Sequence, residues 1–173
     1  RIIEENIHQR LKGLLVGRKD CEITNLCHKL MDTTNMLKHE ELRKSYNQSK
    51  FIFLPNYADA SPRVLSEALA TNLPVLCNRN ILGGWKYVNE KTGVFFTDEN
   101  DIDSAIDEMN RKLLNNEFSA REEYIKNYGP VNTGIRLRDF LYDTFGEQIN
   151  VPRHKTDYVT IDYPKTDYAK CEL

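Results

Sequence analysis

The stretch FIFLPNYADASPRVLSEALATNLPV, residues 51–75, constrains the fold of this chain more than any other part of the sequence. Residues 51–54 are apolar and are followed by Pro55, which is typical of a strand buried on both faces of a parallel sheet. Apolar residues then recur at helical spacing over residues 64–69, and Pro74 introduces a second apolar run at residues 75–77. The pattern predicts a strand, a helix and a second parallel strand, joined by a right-handed crossover.

The start of the predicted helix is suited to bind an anion. Ser61 can cap the helix, and Pro62 fits the first helical position, where its missing N–H costs nothing. The amides of Arg63, Val64 and Leu65 would then lack intrahelical partners at the carboxyl edge of the sheet, where open α/β folds bind ligands. The helix dipole and the Arg63 guanidinium would favour a phosphate there.

Two carboxylates flank this helix start. Glu67 lies one turn inside the helix, and Asp59 lies in the loop before it. Carboxylate oxygens accept hydrogen bonds from sugar hydroxyls, so the pair indicates a nucleotide sugar as the ligand. The competing interpretation is that Arg63 and Glu67 form a surface ion pair worth about 0.3–0.5 kcal/mol and that Asp59 is an ordinary loop acid.

A resemblance to a known family rests on this pair and on the segments around it. Asp59 and Glu67 have seven residues between them, within ASPRVLSEALATNLPVL, and ILGGWKYVNE and TGVFF follow at residues 81–90 and 92–96. These segments resemble the nucleotide-sugar glycosyltransferases of the GT-B fold, in their large group-one branch. The resemblance implies an α/β fold with a Rossmann-like parallel sheet flanked by helices, the C-terminal half of a GT-B fold, with a C-terminal helical region and tail.

The resemblance also implies roles for individual residues. Glu67 would hold the donor's ribose, and Asp59 would contact the transferred sugar as the catalytic position. Ser61, Arg63 and Val64, at the helix start, would bind the distal phosphate. The implied reaction is a retaining transfer, without metal or cofactor, from a nucleoside-diphosphate sugar to a glycan or other acceptor. We expect the chain to be a fragment that needs the acceptor-binding N-terminal domain of the same protein.

Departures from the family pattern leave other functions open. Asp59 stands where a Glu is usual, and Ser61-Pro62 stands where a Gly beside an aromatic or apolar residue is common. The family's Arg and Lys that neutralise the diphosphate have no convincing counterpart in this sequence. The alternatives are a non-catalytic GT-B-like module that binds partners or sugar nucleotides, and another Rossmann-like phosphate binder.

Two further segments are predicted to reach the same edge of the sheet. Gly83 and Gly84 form the only glycine pair, in the loop after the second strand, where permissive backbones allow contact with a sugar or phosphate. A tight turn is the competing interpretation, and the resemblance favours contact. Arg18 and Lys19 follow a buried strand predicted at residues 11–16; they either supply positive charge to the diphosphate or form a solvated turn, which is the interpretation we favour.

Charge and composition exclude several classes of function. Lys and Arg total 24 against 26 Asp and Glu, so no overall positive field would recruit nucleic acid. No apolar run approaches the roughly 18 residues needed to span a bilayer, so we expect no transmembrane segment. The 4 cysteines show no metal-ligand spacing, which indicates reduced thiols and a cytoplasmic setting.

The rest of the chain is predicted to build the sheet and its flanks. Residues 33–37 suggest a strand, and helices are expected at residues 22–30, 39–48, 101–114, 118–128 and 133–145. Asp101 and Asp103 are interpreted as acids of a first helical turn and not as a metal-binding pair. We expect one domain over residues 1–146 and a tail or linker over residues 147–173, where KTDY occurs twice.

Overall fold

The structure is a computed structural model that describes residues 12–16, 31–34 and 36–146. Within those ranges the elements are β1 (Gly13–Val16), β2 (Met31–Thr34), α1 (His39–Gln48), β3 (Ile52–Leu54), α2 (Arg63–Ala70), β4 (Val75–Asn78), β5 (Gly93–Phe96), α3 (Ile102–Leu114), α4 (Ala120–Tyr128) and α5 (Pro130–Phe145). The chain divides into two compact units, with the division between residues 124 and 125, inside α4.

The strands pair in parallel throughout the described ranges. β1 pairs with β2, and β3, β4 and β5 form a sheet with β4 in the middle. Ile52 lies opposite Val75, which lies opposite Gly93 on the other side. The strand–helix–strand unit predicted at residues 51–75 is therefore present. The predicted fold class, an α/β protein with a Rossmann-like parallel sheet flanked by helices, is confirmed.

The central strand β4 is buried because helices cover both faces of its sheet. Side chains alternate along a strand, so Val75 and Cys77 share one buried cluster and Leu76 belongs to another. The first cluster contains apolar residues of α2, and the second contains apolar residues of α3. These helix residues are Leu65, Ala68, Leu69, Ile102, Ala105, Ile106 and Met109. This packing fixes the start of α2 beyond the carboxyl end of β3.

The end of α2 is held by Asn72. Asn72 has a positive φ of 65°, and the Leu73 N–H donates to the Ala68 carbonyl at 2.9 Å. This is the hydrogen bond that closes a helix through a left-handed residue, a conformation that asparagine tolerates better than most residues. The Asn72 side-chain oxygen also accepts the Arg121 N–H at 3.0 Å, so one residue ends α2 and supports the first turn of α4.

The other helices all end where they were predicted to end, and only α3, α4 and α5 begin at a different residue. α1 coincides with the predicted helix at residues 39–48, and α3 begins at Ile102. Asp101 is the N-cap residue of α3 and Asp103 lies in its first turn, as interpreted, while the Asp101 carboxylate accepts the N–H groups of Thr97 at 2.8 Å and Asp98 at 3.1 Å in the preceding turn. α5 begins at Pro130, earlier than predicted, because proline is tolerated in the first helical position.

The structure tests the two strands predicted in the first 37 residues but not the helix and the tail predicted outside the described ranges. The buried strand predicted at residues 11–16 exists as β1, but Leu14 is 47% exposed, so one of its faces is less covered than expected. β2 ends at Thr34, whereas a strand was expected at residues 33–37. The helix predicted at residues 22–30 and the tail at 147–173 lie outside the described residues, so the domain boundary at 146 stays a prediction.

Candidate functional site

The loop between β3 and α2 carries Asp59 to the carboxyl edge of the sheet. One carboxylate oxygen of Asp59, Oδ1, accepts the Ser61 N–H at 3.0 Å, which folds the loop locally just before the helix. The prediction that Ser61 caps α2 is wrong: Pro62 is the N-cap residue, and no side chain of the described residues caps the helix. Ser61 therefore contributes to the loop turn and does not satisfy the amides of the helix.

The first turn of α2 presents two unpaired amides instead of the predicted three. The Leu65 N–H donates to the Pro62 carbonyl at 3.1 Å, which closes a tight first turn. Within the described part of the chain, the N–H groups of Arg63 and Val64 have no hydrogen-bond acceptor, and the Arg63 side chain is exposed. The helix therefore offers an anion two backbone donors and one nearby guanidinium.

The glycine loop after β4 is bonded to the Asp59 loop. The Leu82 N–H donates to the Tyr57 carbonyl and the Gly83 N–H donates to the Asp59 carbonyl, each at 2.9 Å. These two amides are therefore occupied by the protein. The loop holds the backbone of Asp59 in place, which is a different use of its amides from the predicted contact with a sugar or phosphate.

Both glycines are required by close packing. A Cβ on Gly83 would lie 1.9 Å from the Ala60 carbonyl oxygen, which no side chain could tolerate without backbone movement. Gly84 is buried, has a φ of 83°, and a Cβ there would lie 2.6 Å from Cγ of Pro62. The tight turn that was the competing interpretation is therefore present. Contact of Gly83 or Gly84 with a ligand stays a prediction.

Glu67 lies on the second turn of α2, and its side chain is exposed. No ion pair joins it to Arg63 in the described ranges, so the surface pair considered above does not form. Its carboxylate oxygen Oε2 instead accepts a hydrogen bond from the hydroxyl of Tyr46 in α1, at 3.2 Å. A buried residue of a neighbouring helix thus contacts the acid that was predicted to bind ribose.

Tyr46 is the part of this site that sequence reasoning missed. The apolar spacing of α1 correctly predicts that Tyr46 faces inward, and the ring is 8% exposed. Burial, followed by the charge and the hydrogen bond of Glu67, raises the pKa of the Tyr46 hydroxyl well above its usual range. A buried tyrosine hydroxyl usually has a hydrogen-bond partner, so an inward Tyr signals a nearby acceptor without identifying it.

Two of the predicted site residues, Arg18 and Lys19, lie outside the described residues. Their contribution to the site therefore stays a prediction. No group of three or more His, Cys, Asp or Glu in residues 12–16, 31–34 and 36–146 could hold a metal ion. In the same ranges, no helix has both the length and the apolar character that crossing a membrane requires.

A cavity of about 380 Å³ lies at the opposite edge of the sheet from this site. Lys50 and Pro74, which precede β3 and β4, line it together with Phe118 and Tyr46. Its position at the amino ends of the strands separates it from Asp59 and from the first turn of α2. We assign the candidate site to the carboxyl edge, because parallel α/β sheets bind ligands there and the unpaired amides lie there.

Comparison with known proteins gives one family match. A family model described as glycosyl transferases group 1 matches residues 1–129 of the 173. That segment contains all the strands described here, both loops of the candidate site, and Tyr46 and Glu67. No curated protein matches the chain.

Proposed function

Because the chain belongs to the group 1 glycosyltransferase family and is therefore an enzyme of glycosyl transfer, we propose that its described sheet forms the donor-binding half of the enzyme. The donor in this proposal is a nucleoside-diphosphate sugar, and the acceptor is a glycan or another hydroxyl-bearing molecule. The observation that carries the proposal is the pair of unpaired amides at Arg63 and Val64, flanked by the carboxylates of Asp59 and Glu67.

The distal phosphate of the donor would bind at the first turn of α2. Its negative charge would be stabilised by the Arg63 and Val64 amides, by the Arg63 guanidinium and by the helix dipole, which contributes roughly 0.3–1 kcal/mol. When the bond between the anomeric carbon and the phosphate oxygen breaks, negative charge grows on the departing diphosphate. Donors already pointing at that oxygen stabilise this charge without reorganisation, which lowers the barrier to transfer.

The two acids would orient the sugar rings at either end of the phosphates. Asp59 uses Oδ1 for the Ser61 amide, and Oδ2, which has no hydrogen-bond donor in the described ranges, would accept from a hydroxyl of the transferred sugar. Glu67 would accept from the ribose hydroxyls. The acceptor's oxygen would then attack the anomeric carbon on the face from which the diphosphate departs and pass its proton to the departing phosphate oxygen, with retention of configuration and without a metal ion or other cofactor.

Completion of the reaction would require the acceptor-binding N-terminal domain of the same protein, as the family resemblance implies.

The cytoplasmic setting inferred from the cysteines is also part of the proposal. Cys77 is a buried free thiol, as expected where disulfides do not form.

Binding of nucleotide sugars tests the proposal directly. Isothermal calorimetry with a panel of UDP-, GDP- and TDP-sugars would compare the wild-type chain with Glu67→Ala and with Glu122→Ala. Glu122 is an exposed helical glutamate outside the site, so its variant controls for the loss of one surface charge. We expect one nucleotide class to bind, and Glu67→Ala to weaken it at least about tenfold, since a hydrogen bond to a charged group is worth about 1.5–3 kcal/mol.

The opposite results are equally informative. If no nucleotide sugar binds to the folded wild-type chain, this sheet alone is not a competent donor site. Equal affinity in the wild type and both variants would mean that the nucleotide binds without Glu67, and the assignment of this acid to the ribose would be wrong.

A further inference from the structure

Tyr46 and Glu67 meet across the boundary between α1 and α2. The Tyr46 hydroxyl donates to Oε2 of Glu67 at 3.2 Å, and the two residues are 21 positions apart in the chain. The Tyr46 ring is buried in the cluster that includes Leu65 and Leu69 of α2, whereas the Glu67 side chain is exposed. A fixed group therefore holds one oxygen of a carboxylate whose remaining surface is open to solvent.

The hydroxyl can act only as a donor in this contact. Burial raises the pKa of Tyr46, and the negative charge and hydrogen bond of Glu67 raise it further, so the hydroxyl keeps its proton at any working pH. Its hydrogen is directed at Oε2, because no other acceptor of this hydroxyl is present in the described residues. Glu67 is thereby held as an acceptor, ready for donors that come from outside the protein.

The geometry leaves acceptor capacity for a ligand. A carboxylate offers about four lone-pair positions, and Tyr46 occupies one of them. Tyr46 reaches Oε2 at 3.2 Å, slightly beyond the usual range of about 2.5–3.0 Å for O–H···O bonds, so Oε2 keeps room to accept from a second donor. Oε1 has no hydrogen-bond donor among the described residues. Two neighbouring oxygens on one fixed carboxylate match two neighbouring hydroxyls on a ribose ring.

We propose that Tyr46 is a positioning residue for the donor: through its hydrogen bond it fixes the Glu67 carboxylate to receive the ribose hydroxyls. The inference rests on the proposed function, in which Glu67 binds ribose. An exposed glutamate samples several rotamers and must lose that freedom when it binds. A partner that selects one rotamer in the free protein removes part of this cost, so the ribose binds more tightly.

The variant Tyr46→Phe tests the inference because it keeps the buried ring and removes only the hydroxyl. The probe is UDP or GDP, whichever the wild-type chain binds, with the matching 2′,3′-dideoxy diphosphate that lacks the ribose hydroxyls. We expect Tyr46→Phe to weaken the normal nucleotide roughly three- to tenfold and to leave the dideoxy analogue unchanged. In a Glu67→Ala background, Tyr46→Phe should cause no further loss.

A matched control separates positioning from stability. Leu42→Ala, on the same helix, removes packing from the same cluster but offers no polar group to Glu67. It should destabilise the fold in thermal unfolding and leave the ratio of normal to dideoxy affinity at its wild-type value. A change in this ratio in Tyr46→Phe but not in Leu42→Ala supports a positioning role.

Two results would overturn the inference, and they can be told apart from failure of the donor site. If Tyr46→Phe weakens the normal and dideoxy nucleotides by the same factor, or weakens neither, Tyr46 does not act through ribose, and the role of Glu67 is then decided by Glu67→Ala alone. If the wild-type chain binds no nucleotide, the proposed function itself fails, and the role of Tyr46 fails with it.

Discussion

Replacement of Gly83 by alanine is the sharpest structural test of the candidate site. A Cβ at this position would lie 1.9 Å from the carbonyl oxygen of Ala60 and 2.4 Å from its carbonyl carbon. Both are backbone atoms, so no flexible side chain can move to relieve the contact. The loop that holds Gly83 must therefore separate from the loop that holds Asp59.

The cost follows from what this separation breaks. The Leu82 and Gly83 amides each lose a backbone hydrogen bond of 2.9 Å, and each bond contributes about 0.5–1.5 kcal/mol. Strain that remains in a tightly packed turn adds typically about 1–3 kcal/mol. Because movement relieves part of this strain, we expect a loss of about 2–4 kcal/mol in the free energy of unfolding. In a domain of this size, that loss corresponds to a fall in Tm of roughly 5–15 °C.

Thermal and urea unfolding followed by circular dichroism would measure the effect, with Gly134→Ala as the control. Gly134 lies inside α5, and a Cβ there would meet no atom within 4 Å. The same substitution should therefore raise stability by about 0.5–1 kcal/mol at Gly134. If Gly83→Ala unfolds at the wild-type temperature, the close approach of the two loops is wrong, and so is the argument that it positions Asp59.

Three further predictions concern residues outside the donor contacts. Asn72→Gly keeps the left-handed backbone and loses the acceptor for the Arg121 N–H, so it should cost about 0.5–1.5 kcal/mol in urea unfolding; Asn72→Ala should cost roughly 1 kcal/mol more. Burial raises the pKa of Cys77 to about 11, so iodoacetamide at pH 8 should alkylate it only in denaturant, as read by peptide mass spectrometry. Partial burial pushes the pKa of Asp101 up, but hydrogen bonds from backbone amides such as that of Thr97 outweigh this and lower it. The pKa of Asp101 is thus lower in the folded state than in the unfolded state, so its carboxylate stabilises the fold above about pH 4, and this stabilisation is lost as the pH falls further. Asp101→Asn should therefore lower the free energy of unfolding by about 0.5–1 kcal/mol at pH 7, and wild type and variant should become equally stable in acid.

The sheet was predictable because its signals are local. The apolar runs at residues 51–54 and 75–77 correctly indicated β3 and β4, and the helical spacing between them indicated α2. The first residue of α2 was misplaced because proline favours the first helical position, whereas Pro62 occupies the N-cap. The choice between them depends on whether the Leu65 amide reaches the Pro62 carbonyl, which is a matter of three-dimensional geometry.

The site was predictable only in part, because its supporting contacts join distant segments. The pattern around residues 59–67 predicted two acids beside the start of a helix, and the structure places that start one residue later; the roles of the acids stay predictions. The pattern did not identify the bond between the Gly83 amide and the Asp59 carbonyl, or the one between Tyr46 and Glu67. Periodicity shows which face of an element is buried, but not which residue of another element lies opposite that face. The glycine pair was assigned to ligand contact on the resemblance; the Gly83 amide is bonded to the Asp59 carbonyl, and ligand contact of the pair stays a prediction.

The two acids of the site share a feature that an ordinary surface carboxylate would not need. Each uses one carboxylate oxygen for a contact within the protein: Asp59 with the Ser61 amide, and Glu67 with the Tyr46 hydroxyl. Each keeps its second oxygen without a donor in the described part of the chain. A single contact fixes the direction of a carboxylate while leaving it able to accept from a ligand, and acceptors fixed before binding lose less entropy when the ligand arrives. The unpaired amides of α2 come between these two acids along the chain, which supports the proposal of a donor whose phosphates carry a hydroxyl-bearing sugar on each side.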